Sequence, residues 1–112
     1  MKTPTLKLLA RAMQAYTWRM QTTAGNIANL DTPGYQRATV TFEETLQEAR
    51  RSIAGPRLAE DIEPQVRVED GPPILEDEMM DMADTQMRTQ LASRALNGHF
   101  NKMRISITGR TG

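Results

Sequence analysis

The apolar side chains of this chain fall into two long periodic runs, one near each end. In the first, Leu6, Leu9, Met13, Tyr16, Met20, Thr23, Ile27 and Leu30 follow one another at alternating steps of three and four. Thr23 is the only polar member. Apolar positions at this spacing share one face of a helix, and a seam held over more than three heptads has the pattern of a coiled coil. The spacing predicts a helix over 4–30, about 40 Å long. Thr3 and Pro4 read as its N-cap and first-turn proline. Gly25 weakens the interior by about 1 kcal/mol relative to alanine, and marks either a close approach of another helix or a softer last turn.

The helix must stop near Asp31. Thr32 precedes a proline and is pushed out of the α region. Pro33 and Gly34 suit the two central positions of a type II turn, because proline presets φ and glycine accepts a positive one. Asn29 and Asp31 are placed to satisfy backbone groups left open at the helix end.

The second run follows Pro72-Pro73, with Gly71 or Asp70 as the expected cap. From Ile74 to Ile107 there is no proline and a single glycine, Gly98. The seam here is Met82, Gln86, Thr89, Ser93, Leu96, Phe100, Met103 and Ile107, apolar at its ends and polar in its middle. Met80, Met87 and Leu91 widen the stripe. A helix of about 50 Å is predicted, closed by Gly109. Between the runs, Arg37–Phe42 reads as a short extended piece and Glu43–Ile53 as a short helix with Phe42 and Leu46 on one side. Gly55, Pro56, Pro64, Gly71, Pro72 and Pro73, with many charges, mark a loose solvent-facing excursion.

The expected fold is therefore all-α. Two long antiparallel, coiled-coil-like terminal helices, 1–31 and 74–112, are joined by a largely irregular central segment, 32–73, with a short strand or helix in it. The three parts form one domain.

Composition sharpens the picture. Only 38% of the 112 residues are hydrophobic and 4% aromatic, too little for a lone chain to build a large core. The seams then need shelter on neighbouring copies as well as on each other. Net charge is zero, but residues 1–40 carry five bases against one acid and residues 41–72 four against eight. A basic end and an acidic middle can pair or simply face solvent. No basic stripe suits nucleic acid. There is no cysteine, which excludes disulfides and thiol chemistry. No apolar run has the length of a signal peptide or a membrane span.

Catalytic chemistry finds no foothold. His99, the only histidine, has no carboxylate three or four residues away on its helix. Glu76, Asp77, Glu78, Asp81 and Asp84 lack the loop pattern of a calcium site and read as acids at a helix N-terminus. No phosphate loop, dinucleotide fingerprint or nucleophile elbow is present. The chain reads as a non-enzyme with no cofactor, no metal and no small-molecule substrate.

Asn26-Ile27-Ala28-Asn29-Leu30-Asp31-Thr32-Pro33-Gly34-Tyr35 resembles the motif that flagellar rod and hook proteins carry after their N-terminal helix. Met82-Ala83, Gln86-Met87-Arg88, Gln90, Leu96-Asn97, Phe100, Met103-Arg104, Ile107 and Gly109 are similar to the closing pattern of a rod protein. Thr89 and His99 depart from it, standing where a tyrosine and a lysine are usual. The resemblance covers residues 1–47 and 74–109. It implies a structural subunit of the proximal rod in the flagellar basal body, part of the drive shaft that carries motor torque to hook and filament. The implied partners are other copies of the chain, other rod proteins, the rod-base adaptor FliE, the membrane-ring protein and the flagellar type III export apparatus, which needs no cleaved leader. The implied location is the rod, in the periplasmic space. Asn26, Ile27, Asn29, Asp31, Thr32, Pro33, Gly34 and Tyr35 would form the assembly motif. Leu6, Leu9, Met13, Tyr16, Met20, Ile27 and Leu30, with Met82, Met87, Leu96, Phe100, Met103 and Ile107, would form the packing seams. The competing readings are a cytoplasmic helical-hairpin adaptor or export chaperone, and another rod subunit of the same family.

Overall fold

A computed structural model describes residues 3–51 and 62–109. The elements run α1 (Thr3–Ala28), β1 (Ala38–Thr41), α2 (Glu43–Arg51), β2 (Gln65–Val68) and α3 (Leu75–Thr108). Gly55, Pro56 and the end of the helix expected to reach Ile53 lie outside the described residues.

The two terminal helices pack against each other and run antiparallel. Asn26 of α1 meets Glu78 of α3, and Leu9 and Tyr16 share a groove with Arg88, Ala92 and Ala95. Each step back along α1 is thus a step forward along α3. Glu78, Thr85 and Ala92, spaced by seven, are the residues of α3 most completely buried. This face is polar for much of its length. The seam expected from the apolar pattern lies beside it, with Met82, Thr89, Ser93 and Leu96 partly covered.

The centre is more ordered than its composition implied. The β-branched residues of 39–41 and Val66 and Val68 suit a pleated ladder, and β1 pairs antiparallel with β2, Ala38 opposite Val68 and Val40 opposite Val66. The pairing continues past the strands, since Arg37 N–H donates to Gly71 C=O (3.0 Å) and Glu69 N–H to Arg37 C=O (2.8 Å). This explains a shift at the start of α3. Gly71 is still tied to the ladder, with φ of 103°, so Pro72 and Pro73 precede the helix rather than open it. Ile74 occupies the N-cap position, with extended backbone and no side-chain cap. Neither Asp70 nor Gly71 caps the helix.

α1 has a second packed face, which the single seam did not predict. Ala15, Val40 and Phe42 form the buried cluster, flanked by Leu8, Ala12, Trp18, Leu46 and Ile62. β1 and α2 therefore lie on α1 opposite a different set of positions from those facing α3. The core is small. Among the described residues the buried apolar side chains are Ala15, Val40, Phe42, Ala49 and Ala92, while twelve large hydrophobic side chains are exposed.

Candidate assembly site

The turn after α1 forms as its residues demand. Tyr35 N–H donates to Thr32 C=O at 3.2 Å, and Gly34 sits at φ 77°. With Pro33 ahead of it, this is a type II turn. The helix ends slightly earlier than the pattern indicated, at Ala28. At this end Gly25 C=O accepts twice from Asn29, from its backbone N–H at 3.1 Å and from Nδ2 at 2.8 Å. Thr32 Oγ1 then donates to Asn29 Oδ1 at 3.1 Å. Asp31, Thr32, Pro33 and Gly34 are exposed, and Ile27, Leu30 and Tyr35 are partly buried.

Asn26 is the centre of the motif. It is 1% exposed, and a buried carboxamide needs partners for two N–H donors and a two-fold acceptor. All are met. Oδ1 accepts from Ala38 N–H at 3.0 Å and from Tyr35 O–H at 3.1 Å. Nδ2 donates to Ala38 C=O at 2.8 Å and to Glu78 Oε2 at 3.0 Å. Arg37 turns its N–H and C=O towards the β2 side, so those of the next residue, Ala38, point away from that ladder. The Asn26 carboxamide pairs with both, as a neighbouring strand would. One helix side chain thereby replaces a third strand and fixes β1 to α1.

Glu78 extends the site to α3. It is fully buried, and its second oxygen accepts from Arg37 Nε. The Arg37 guanidinium also reaches Asp81 and Glu69 (3.1 Å). Burial opposes its charge, but the hydrogen bonds and charges of Glu78 and Glu69 outweigh that and raise its pKa above the ordinary arginine value. A buried carboxylate of this kind is tolerated only with such partners, and stripping one away costs about 3–5 kcal/mol. Asn26, Tyr35, Arg37 and Glu78 thus clasp the end of α1, the turn, the ladder and the start of α3 together. Glu78 and Asp81, read from sequence as helix-terminal acids, are structural anchors here.

A second ionic contact fastens α2. Arg19 forms a two-pronged pair with Glu43 (3.0 and 2.7 Å) and also donates to Val40 C=O at 3.3 Å. Arg88 of α3 lies 4.0 Å from Glu43 and pairs with Asp84 at 2.8 Å. Burial raises the Glu43 pKa, but the Arg19 hydrogen bonds and charge prevail and hold it below the usual carboxylate range. Part of the basic-end, acidic-middle asymmetry is therefore neutralised within the chain, Arg11–Glu63 (3.3 Å) included. Arg19, Arg37, Glu43, Asp84 and Arg88 line an open polar cleft of about 520 Å³. It holds no histidine, cysteine or serine, and no group of side chains suited to a metal ion occurs among the described residues.

The predicted seam residues divide by position. Leu6, Leu9, Met13, Tyr16, Met20, Ile27 and Leu30 of the N-terminal seam are all partly buried, as are Met82 and Leu96. Met87 (55%), Phe100 (52%), Met103 (45%) and Ile107 (80%) are exposed on the single chain. Sequence reasoning missed Arg37, Glu78, Arg19 and Ala15. The signal available for Glu78 was its place in one seven-residue column with Thr85 and Ala92.

No described helix is long and apolar enough to cross a membrane. No curated protein matches the chain. The segment that contains the clasp asparagine, the type II turn and Tyr35 does have a counterpart: through residues 6–36 the chain is matched to the flagella basal body rod proteins, a family of structural subunits and not of enzymes.

Proposed function

We propose that this protein is a structural subunit of the proximal rod of the bacterial flagellar basal body, built into the drive shaft by helix packing between subunits. The observation that carries the reading is the imbalance between interior and surface. Five buried apolar residues, three of them alanine, stand against twelve large exposed ones among those described. Exposure on this scale is expected of a chain that completes its packing on neighbours. The family match over 6–36 supplies the kind of assembly.

Within that family, the Asp31-Thr32-Pro33-Gly34-Tyr35 form and the closing pattern of α3 favour the proximal-rod protein FlgB. The Ala-Tyr-Glu-Ala-Asn type ending of other rod subunits is absent. The neighbours would be further copies, other rod proteins, FliE and the membrane-ring protein. Delivery would be through the flagellar type III apparatus to the rod in the periplasmic space. Each subunit contributes α1 and α3 to the inner layer, and the clasp sets the angle at which the chain leaves it. Contacts between unlike faces then propagate as an open helical array.

The test is fractionation of cells making a tagged chain. The protein should co-purify with hook–basal bodies. A chain that stays wholly in the cytoplasm on a client protein would instead support the adaptor or chaperone reading. Gly34→Val should block incorporation while leaving expression and export detectable. A Cβ at Gly34 meets nothing within 4 Å, so the effect comes from backbone strain at φ 77°, about 1–3 kcal/mol. Intact basal bodies and normal motility in that variant would count against the role given to the turn.

A further inference from the structure

The sheet is finished on one side only. β1 has β2 along one edge. Along its other edge the Asn26 carboxamide takes Ala38 N–H and C=O, and Arg19 takes Val40 C=O. β2 has no such cover. Glu69 N–H is donated inward to Arg37 C=O. By alternation Arg67 also faces β1, and Val66 and Val68 direct their N–H and C=O outward. No described residue takes up those groups. The side chains are uncovered as well. Val40 is 7% exposed, whereas Val66 opposite it is 54% exposed and Val68 61%. An edge with free backbone groups and apolar side chains is a template for a further strand.

The residues along this edge define what such a strand must carry. Arg67 stands exposed between the valines. Among the described residues it has no acidic partner, since Arg37 takes Glu69 and Arg11 takes Glu63. A second copy of the chain fits badly. Antiparallel pairing with Val66 opposite Val68 sets Arg67 directly opposite Arg67, and like charges facing across strands destabilise the pair. Slipping the register to Val66 opposite Val66 puts Val68 against Pro64, which has no N–H. Slipping it the other way puts Val66 against Asp70, in the bend that ends the ladder. β1 shows what the strand accepts on its finished side. Ala38 and Val40 face Val68 and Val66, Thr39 faces Arg67, Thr41 faces Gln65, and Arg37 meets Glu69.

We infer that the outer edge of β2 binds an extended segment of another protein, antiparallel, with an acid opposite Arg67 and β-branched apolar residues opposite Val66 and Val68. The backbone of that segment satisfies the outward N–H and C=O groups and gives the affinity, while the alternating side chains give the selectivity. Its acid pairs with Arg67, its apolar residues cover the two valines, and a basic residue shares Glu69 with Arg37. Read from its N-terminus, the segment is basic, apolar, acidic, apolar, polar. The sheet gains a third strand, and two strands alone are marginal. Binding at this edge does not depend on the rod-subunit reading.

The probe is the capped peptide acetyl-Ser-Lys-Val-Glu-Val-Thr-Ser-amide, titrated into the isotope-labelled full chain and followed by NMR. The amide signals of Val66 and Val68 should shift, and their hydrogen exchange should slow about tenfold at saturation. The same peptide N-methylated at both valines lacks the donors and should not bind. Arg67→Glu, at an exposed position, should keep the parent's circular dichroism and bind the peptide about fivefold more weakly. Exchanging the peptide's glutamate for lysine should restore binding to that variant. Unmoved signals at Val66 and Val68, equal binding of the N-methylated peptide, or an Arg67→Glu affinity equal to the parent's would overturn the inference. So would protection of the Val66 and Val68 amides that grows with protein concentration in the absence of peptide, which would assign the edge to a second copy.

Discussion

Replacing Asn26 with aspartate changes the clasp without changing its shape. Both acceptor bonds, from Ala38 N–H and Tyr35 O–H, can persist. Both donations are lost, to Ala38 C=O at 2.8 Å and to Glu78 Oε2 at 3.0 Å. A second carboxylate then faces Glu78, which is fully buried. Leaving a buried acceptor unsatisfied costs about 1–3 kcal/mol, and two like charges about 4 Å apart repel by roughly 4 kcal/mol at an effective dielectric near 20. Protonation of the new carboxyl limits the total, so about 3–5 kcal/mol at neutral pH is expected. Domains hold about 5–15 kcal/mol in all, and with so few buried apolar residues this one belongs at the low end. The melting midpoint, followed by circular dichroism at 222 nm, should fall by about 15 °C or more.

The sign of the pH dependence is a sharper check on the same variant. Burial and the nearby Glu78 raise the new carboxyl's pKa in the folded state above the unfolded value of about 3.9. The folded state then binds more protons than the unfolded one, so stability falls as pH rises between the two values and is recovered on acidification. The gap between variant and parent should therefore narrow towards pH 4. A variant melting within about 2 °C of the parent at pH 7 would refute the reasoning. So would a gap that widens in acid.

Glu43 has its pKa lowered in the fold, so it contributes stability above its unfolded value of about 4.3 that is lost as pH falls through the folded one. Glu43→Gln should lower stability at neutral pH and flatten the acid limb of the melting curve, and an unchanged acid limb would remove Arg19–Glu43 from the account. Gly25→Ala should stabilise α1 by about 0.5–1 kcal/mol, since its Cβ would meet Tyr35 Oη at an ordinary 3.8 Å. Destabilisation in chemical denaturation would show that the glycine is there for a close approach after all.

The long-range architecture was legible because it rests on periodicity. Alternating steps of three and four placed both helices, and Pro33-Gly34 placed the turn, since few other residue pairs meet its backbone needs. The centre was harder. Strands of four residues leave a weak signal, and the pairing of Val40 with Val66 spans the chain between them. Asn26 was legible as part of a motif but not as a substitute strand, because that role exists only once β1 lies beside α1. Glu78 was misread for a related reason. An acid in the first turn of a helix has a sufficient local explanation in the macrodipole, and only the approach of Arg37 from 41 residues away turns it inward. Ala15 was overlooked because a seam search recovers one face of α1, whereas this helix is covered on two. Leu8, Ala12 and Trp18 all lay on that second face in plain view.

The absence of cysteine permits a direct measurement of where the apolar end of α3 goes. A single Met103→Cys chain would be labelled with a maleimide both as free protein and within purified hook–basal bodies, with Glu48→Cys on the exposed side of α2 as the reference site. The account predicts rapid labelling of both positions in the free chain, and in the assembly loss of labelling at 103 but not at 48. Equal reactivity of residue 103 in the two states would contradict it.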